Sequence, residues 1–194
     1  YVLGIDLGGT HVKGIVVDAS GRVLAEDARP TDDGVAGAWR DNVRSLVAGL
    51  RERCPGLAAA GLCAPGLASA DEKTIVSMPG RLKGLEGLDW SNELSLPTVV
   101  LNDAHAALLG EVWLGVARGG TNVLMVTIGT GVGGAALVDG RLLRGHLGRA
   151  GHVGHISLNP DGAPDIVRTP GSLEDAIGDC TVRARSGGRF DVGL

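Results

Sequence analysis

Residues 6–13 read Asp-Leu-Gly-Gly-Thr-His-Val-Lys, and residues 128–134 read Ile-Gly-Thr-Gly-Val-Gly-Gly. Each stretch sets a glycine turn between two apolar, β-branched runs. Tyr1–Asp6 and Val12–Val17 flank the first turn; Thr121–Ile128 and Ala135–Val138 flank the second, which spans Gly129–Gly134. Two such runs joined by a glycine turn predict a hairpin. A further turn and strand follow each hairpin: Asp18-Ala19-Ser20-Gly21 before Arg22–Ala25, and Asp139-Gly140 before Arg141–Leu143. A strand–turn–strand–turn–strand unit therefore occurs twice, over 1–28 and 121–145, which is the mark of a duplicated supersecondary unit.

Between the two units the pattern changes period. Thr31, Asp32 and Asp33 are N-cap residue types. After them Val35, Trp39, Val43, Leu46, Val47 and Leu50 recur at helical spacing, predicting a helix over 33–53 that ends at Pro55-Gly56. Leu57–Ala64 reads as a strand, Pro65-Gly66 opens a loop, and 67–96 reads as irregular. Thr98–Leu101 reads as a short buried strand, and Ala104–Val116 as a helix. Strands alternating with helices predict an α/β fold. The expected domains are 1–110 and 111–194, the second incomplete. Trp39 and Trp113 are assigned to the core; Met78-Pro79-Gly80 and Trp90 fall in the irregular stretch.

Composition excludes several classes. The chain has 194 residues, with 18 Lys+Arg against 22 Asp+Glu for a net charge of −4, so it lacks the basic footprint of a nucleic-acid binder. No uncharged run is long enough to span a bilayer, and no charged n-region precedes an apolar segment. Cys54, Cys63 and Cys180 are too few and too scattered for a disulfide framework, which points to a reducing cytoplasm. The chain opens at Tyr1 inside a predicted strand, so both ends are expected to be cut.

Glycine turns let backbone N–H groups face a concave anion site with no Cβ in the way. Thr10 adds a hydroxyl and Lys13 a charge, and Asp6, at a strand end, is suited to hold Mg²⁺ through water. Neither turn matches GxxxxGK[ST] or opens a helix, which disfavours the P-loop and dinucleotide readings. Paired hairpin cradles point instead to a nucleotide clamped between two domains.

DLGGT, the duplicated hairpins and GTGVGG resemble the actin-like ATPase superfamily of sugar kinases. Ala64-Pro65-Gly66, LNDAHAALLGE (Leu101–Glu111), GRAGHVGH (Gly148–His155) and Gly171-Ser172-Leu173-Glu174 narrow the resemblance to the ROK family. It runs through nearly the whole chain in order. It implies a duplicated ribonuclease H-like fold and ATP-dependent phosphorylation of a hexose or hexose derivative. Asp103 would be the general base. The phosphates would lie on Gly8, Gly9, Thr10 and Lys13 and on Thr130, Gly131, Gly133 and Gly134, with Mg²⁺ at Asp6. Pro65, Gly66, Asn102, Asp103, His152, His155 and Glu174 would meet the sugar. A small-molecule substrate and a homodimer follow from the same likeness, whereas composition already argues against a nucleic acid or membrane partner. Read without the resemblance, Asp103 is a plain N-cap for the helix behind it.

Two departures stand out. His152 occupies the place of a sugar-binding Glu; imidazole both donates and accepts where a carboxylate only accepts, so the sugar preference is expected to shift away from glucose. The stretch 164–172 (PDIVRTPGS) lacks the family's cysteine cluster, so no structural zinc is expected. The rival readings are a sugar-responsive regulator, since the family includes repressors, and an inactive sugar- or nucleotide-binding module.

Overall fold

Burial alternates along the first strand, β1 (Val2–Leu7), with Leu3, Ile5 and Leu7 turned inward and their neighbours outward. That two-residue period makes a one-faced strand. β2 (His11–Val17) returns antiparallel to β1, and β3 (Val23–Pro30) returns antiparallel to β2. The computed structural model describes residues 1–187 except Pro79 and Thr130, and does not describe the side chains of Cys180 and Arg183.

Helix α1 (Ala38–Arg53) buries Trp39, Val43, Leu46, Val47 and Leu50. A side chain at Gly14 of β2 would run into Leu46 and Leu50, so a glycine is what lets the helix lie close on the sheet. The chain then enters β4 (Ala59–Ala64) and β7 (Thr98–Asn102), parallel to β1 and to each other. The sheet order is β3-β2-β1-β4-β7.

The segment 67–96 is more regular than its composition predicts. β5 (Leu67–Ala68) pairs with β6 (Ile75–Ser77), and α2 (Trp90–Leu94) follows, capped by Asp89 accepting the Asn92 N–H at 2.9 Å. Trp90 is fully buried, its ring 6.2 Å from that of Trp39. Glu93 of α2 is buried and takes salt bridges from Arg40 and Arg44, tying the two helices together.

Two expectations are corrected here. Helix α1 starts at Ala38, not 33, and its N-cap is Gly37, in the left-handed region. Gly34 and Gly37 weaken any earlier turn of helix, Val35 is exposed, and Thr31 and Asp33 bond elsewhere. Trp113, assigned to the core, is 47 % exposed on α3 (Asp103–Trp113).

The chain divides into two compact units, Tyr1–Ala106 and Ala107–Leu194, with α3 running from one into the other. The second unit holds an antiparallel sheet of order β10-β9-β8, from β8 (Val123–Ile128), β9 (Val132–Val138) and β10 (Arg141–Leu142). Asp139 and Gly140 both have positive φ, as a two-residue hairpin loop requires. This meander repeats the first three strands of the first unit. A 3-10 turn (Val153–His155), α4 (Leu173–Ile177) and α5 (Asp179–Arg185) complete the second unit. The outer face of β8 exposes Leu124, Val126 and Ile128, whereas β1 is paired on both edges.

Candidate active site

In the first unit the carboxyl ends of the parallel strands β1, β4 and β7 lie side by side, the place where open α/β sheets collect ligands. Register puts Asp6 beside Cys63, Cys63 beside Leu101 and Ala64 beside Asn102. Asn102 is the last residue of β7. Its Oδ1 accepts the Ala104 N–H at 3.0 Å, two residues on, and its Nδ2 donates to Gly66 O at 3.0 Å. Asn102 therefore caps α3 and anchors the Pro65-Gly66 loop. Gly66 has φ 100°, and a side chain there would collide with the Ser77 carbonyl.

With the cap supplied by Asn102, Asp103 is not needed for it. Its Oδ1 takes only a share of the adjacent Ala104 N–H at 2.8 Å, a neighbour contact rather than a cap. Asp103 is an exposed residue. Protein packed around its carboxyl nevertheless raises it above the usual carboxylate range. The Ala104 N–H acts against this, the charge of Asp6 adds to it, and Asn102 acts against it. Cys63 Sγ lies 3.6 Å from Asp6 Oδ1; burial first, then the charge of Asp6, pushes its thiol far up, so it stays protonated.

The first glycine turn is closed by Gly8 N–H donating to His11 O at 3.1 Å. Its carbonyls are all held by protein donors: Gly8 O by the Thr31 hydroxyl at 2.7 Å, Thr10 O by Thr31 N–H at 2.8 Å, and Gly9 O by Arg81 Nη2 at 2.8 Å. No acceptor among the described residues takes the N–H of Gly9 or Thr10. Carbonyls tied back and N–H groups left over is the arrangement of an anion cradle. Lys13 stands across β2 from Asp6 in register. Arg81 is held by Asp33 (Nε to Oδ2, 3.2 Å) so close over Gly9 that any side chain there would strike its guanidinium. A pocket of about 560 Å³, bounded in part by Asp33, Arg81, Lys83 and Glu86, adjoins it.

In the second unit the glycine turn is tighter than predicted. Gly133 and Gly134 belong to β9, opposite Thr127 and Val126. Gly134 is buried, and a side chain there would strike Gly151 and Val153, so its bareness serves close packing. Gly129 N–H bonds to Gly131 O at 3.0 Å. Thr130 lies outside the described residues. Glu174, in the first turn of α4, accepts the Val132 N–H on Oε2 at 2.9 Å, and its carboxylate lies where a side chain at Gly131 would be.

His152 precedes the 3-10 turn, half-buried, and its carbonyl accepts the His155 N–H at 3.3 Å. His155 Nδ1 lies 2.8 Å from Asp165 Oδ2. The Asp165 side chain has no solvent exposure. Burial acts to raise its carboxyl. The Thr169 N–H, the His155 ring, the Ser172 hydroxyl and the Val167 N–H overcome that and hold it below the usual range. Among the described residues, no group of three or more His, Cys, Asp or Glu is arranged to hold a metal ion.

Asp6, Gly66, Asn102 and Asp103 thus form one constellation in the first unit, and Gly131, Glu174 and His155 sit in one bonded network in the second. Sequence reading passed over Arg81 and Asp165. Arg81 carried no local signal. Asp165 is the one carboxylate within 164–172, the stretch without cysteines, and that was the available hint.

The ROK family profile matches residues 2–188. A glucokinase of Streptomyces coelicolor is 36 % identical over 169 residues, 82 % of this chain and 50 % of the relative. A xylose repressor of Bacillus subtilis is 26 % identical over 167 residues, 84 % of this chain and 44 % of the relative. Among solved structures, a ROK family glucokinase from Streptomyces griseus in complex with glucose and AMPPNP superimposes with TM-score 0.81 at 30 % identity, covering 97 % of this chain and 62 % of the other. The chain spans about half the length of the curated relatives it matches. The duplicated actin-like ATPase fold that the resemblance implied is the fold of these structural neighbours. No helix among the described residues is long and apolar enough to cross a membrane.

Proposed function

This chain belongs to the ROK family, and on that premise we propose that the protein transfers a phosphoryl group from ATP to a hydroxyl of a hexose or hexose derivative, with Asp103 as general base. The observation that carries the reading is the Asp103 carboxylate. It sits past the end of β7, released from helix capping by Asn102, with a raised pKa and Asp6 nearby. A base must be free to take a proton and must hold it with adequate affinity, and a raised carboxylate does both better than an ordinary one.

In the proposed step, Asp103 removes the proton of the acceptor hydroxyl while that oxygen bonds to the γ-phosphorus. The bond to the bridging oxygen of the ADP leaving group breaks, and the proton on Asp103 passes to solvent. A base in this role contributes about 10²–10⁴-fold. The turn at Gly8, Gly9 and Thr10 would receive phosphate oxygens on its unused N–H groups, with Lys13 neutralising charge. Gly131 and its turn would do so in the second unit. Asp6 and Asp103 offer the carboxylate oxygens that a hard cation prefers, and the protonated Cys63 thiol does not compete, so the residues fit Mg²⁺ at Asp6. Such a cation neutralises the charge of the phosphates. Pro65, Gly66 and Asn102 in the first unit, and His152, His155 and Glu174 in the second, would hold the sugar. The reduced thiols of Cys54 and Cys63 fit a cytoplasmic location.

ADP release by the intact protein over a panel of hexoses and N-acetylhexosamines, beside Asp103→Asn, tests this. Sugar-dependent release that collapses in Asp103→Asn supports it; equal turnover in both removes Asp103 from the role. Glucose as the preferred substrate would contradict the expected effect of His152. A second reading, a sugar-responsive regulator, is favoured by the likeness to the xylose repressor. Sugar binding with no ADP release would select it.

A further inference from the structure

We propose that Asp165 is the positioning residue of the sugar site: it fixes the orientation and tautomer of His155 and couples that ring to the helix carrying Glu174. The proposal rests on the reading of His155 and Glu174 as sugar ligands. Its basis is a hydrogen-bond hub in the second unit.

The Asp165 side chain is shut off from solvent and is met by two backbone N–H groups, a hydroxyl and an imidazole nitrogen. Oδ1 accepts the N–H of Val167 at 2.9 Å and of Thr169 at 2.8 Å; Oδ2 faces His155 Nδ1 at 2.8 Å. The Ser172 hydroxyl is a fourth donor. The loop is wound around this carboxylate: Asp165 N–H donates to Thr169 O, Arg168 N–H donates to Asp165 O, both at 2.9 Å, and Arg168 holds a left-handed φ of 69°. With its backbone and both oxygens committed, the carboxylate is a fixed point.

An ionised carboxylate only accepts. Nδ1 of His155 must therefore carry a proton, and in the neutral ring Nε2 is then an acceptor. An acceptor at Nε2 suits a hydroxyl that donates, which a sugar supplies.

Ser172 links Asp165 to α4. It is buried, and its single hydroxyl proton goes to Asp165. Its oxygen accepts the Asp175 N–H at 3.2 Å and so caps α4. Glu174 lies in that first turn, bonded to Val132 N–H beside the glycine turn. Asp165 thus fixes one candidate sugar ligand directly and the backbone of the other through one hydroxyl. No metal ion enters this scheme.

Asp165→Asn separates positioning from mere support of the loop. The amide oxygen can still accept from Val167 and Thr169, but its NH₂ donates to Nδ1 and drives the ring proton to Nε2. Ring ¹⁵N NMR of the intact protein is expected to show His155 as the Nδ1–H tautomer in the parent and Nε2–H in the variant. Sugar affinity by calorimetry is expected to fall at least ten-fold, with KM for sugar rising in step and kcat changing less than three-fold. Asp165→Glu is expected to recover the parent tautomer. If Asp165→Asn fails to fold, the tautomer of the parent protein still decides: a proton on Nε2 overturns the proposal. So does unchanged sugar affinity in a folded variant, which leaves the kinase reading standing. Sugar binding with no phosphoryl transfer in the parent sinks the kinase reading and leaves this proposal standing.

Discussion

Asp103, at the start of α3, and Asp165, in a loop, are both aspartates beside candidate sugar ligands, and they behave in opposite ways. Asp165 has a side chain sealed from solvent and a depressed pKa; Asp103 is an exposed residue and its pKa is raised. Burial pushes both carboxyls up and is the largest influence on Asp103. What separates them is the supply of donors. Asp165 collects two N–H groups, an imidazole and a hydroxyl, whereas Asp103 has a shared N–H, its neighbour Asn102 and the repelling charge of Asp6. A carboxylate saturated with donors is a strut: its charge is spent on holding structure. A carboxylate starved of donors keeps its affinity for a proton, which is what a base requires. On the proposed reading, the same residue type serves architecture in the second unit and chemistry in the first.

Catalysis offers the largest break of this comparison. Asp103→Asn is expected to lower kcat by about 10²–10⁴-fold, whereas Asp165→Asn should act on KM; steady-state kinetics on the intact protein reads both. A comparable kcat loss in the two variants would erase the distinction. Stability comes next, with the roles reversed. Asp165→Ala strands the N–H groups of Val167 and Thr169 and the Ser172 hydroxyl, and is expected to cost about 3 kcal/mol in denaturant unfolding. Asp103→Asn should leave Tm unchanged or raise it.

The pH dependence of stability sharpens the contrast by sign. A folded pKa below the unfolded value adds stability that is present at neutral pH and lost as pH falls through the folded pKa; that is Asp165. A folded pKa above the unfolded value adds stability only in acid and loses it as pH rises through the folded pKa; that is Asp103. Melts from about pH 3 to about pH 8 should therefore show the gap between Asp165→Asn and parent closing toward acid. The small advantage of Asp103→Asn should open toward neutrality, reduced by solvent screening at an exposed site. The smallest effect concerns Arg81. Losing its bond to Gly9 O should raise KM for nucleotide in Arg81→Ala by about five-fold, roughly 1 kcal/mol, with kcat little changed.

Local chemistry made much of this legible in the sequence. The paired hairpins follow from turn residues such as Asp139-Gly140, whose backbone demands are met within two positions. The placing of Asp103 just past a strand is equally local. Errors arose where distant partners compete for a local signal. Thr31 and Asp33 look like helix caps, but Gly8 claims one and Leu82 the other, so α1 begins at Gly37 and Ala38. Trp113 falls on an apolar helix and Trp90 in a stretch read as irregular, yet the packing of α2 on α1 buries Trp90 and leaves Trp113 exposed. Asn102, proposed as a sugar ligand, also bonds within the protein through its Oδ1 and one N–H donor, a second role that only the register of β4 against β7 reveals. Asp165 was signalled only as the one carboxylate within 164–172, because its meaning lies in four donors gathered from 155 to 172 by a turn with no repeating pattern.

The most direct measurement is the pH profile of kcat/KM for the sugar, in the intact protein and in Asp103→Asn and Asp165→Asn. The account predicts an acid limb in the parent with its midpoint above the ordinary carboxylate range, retained in Asp165→Asn and absent from the residual activity of Asp103→Asn. An acid limb that persists unchanged in Asp103→Asn would contradict it, since the titrating base would then be another group.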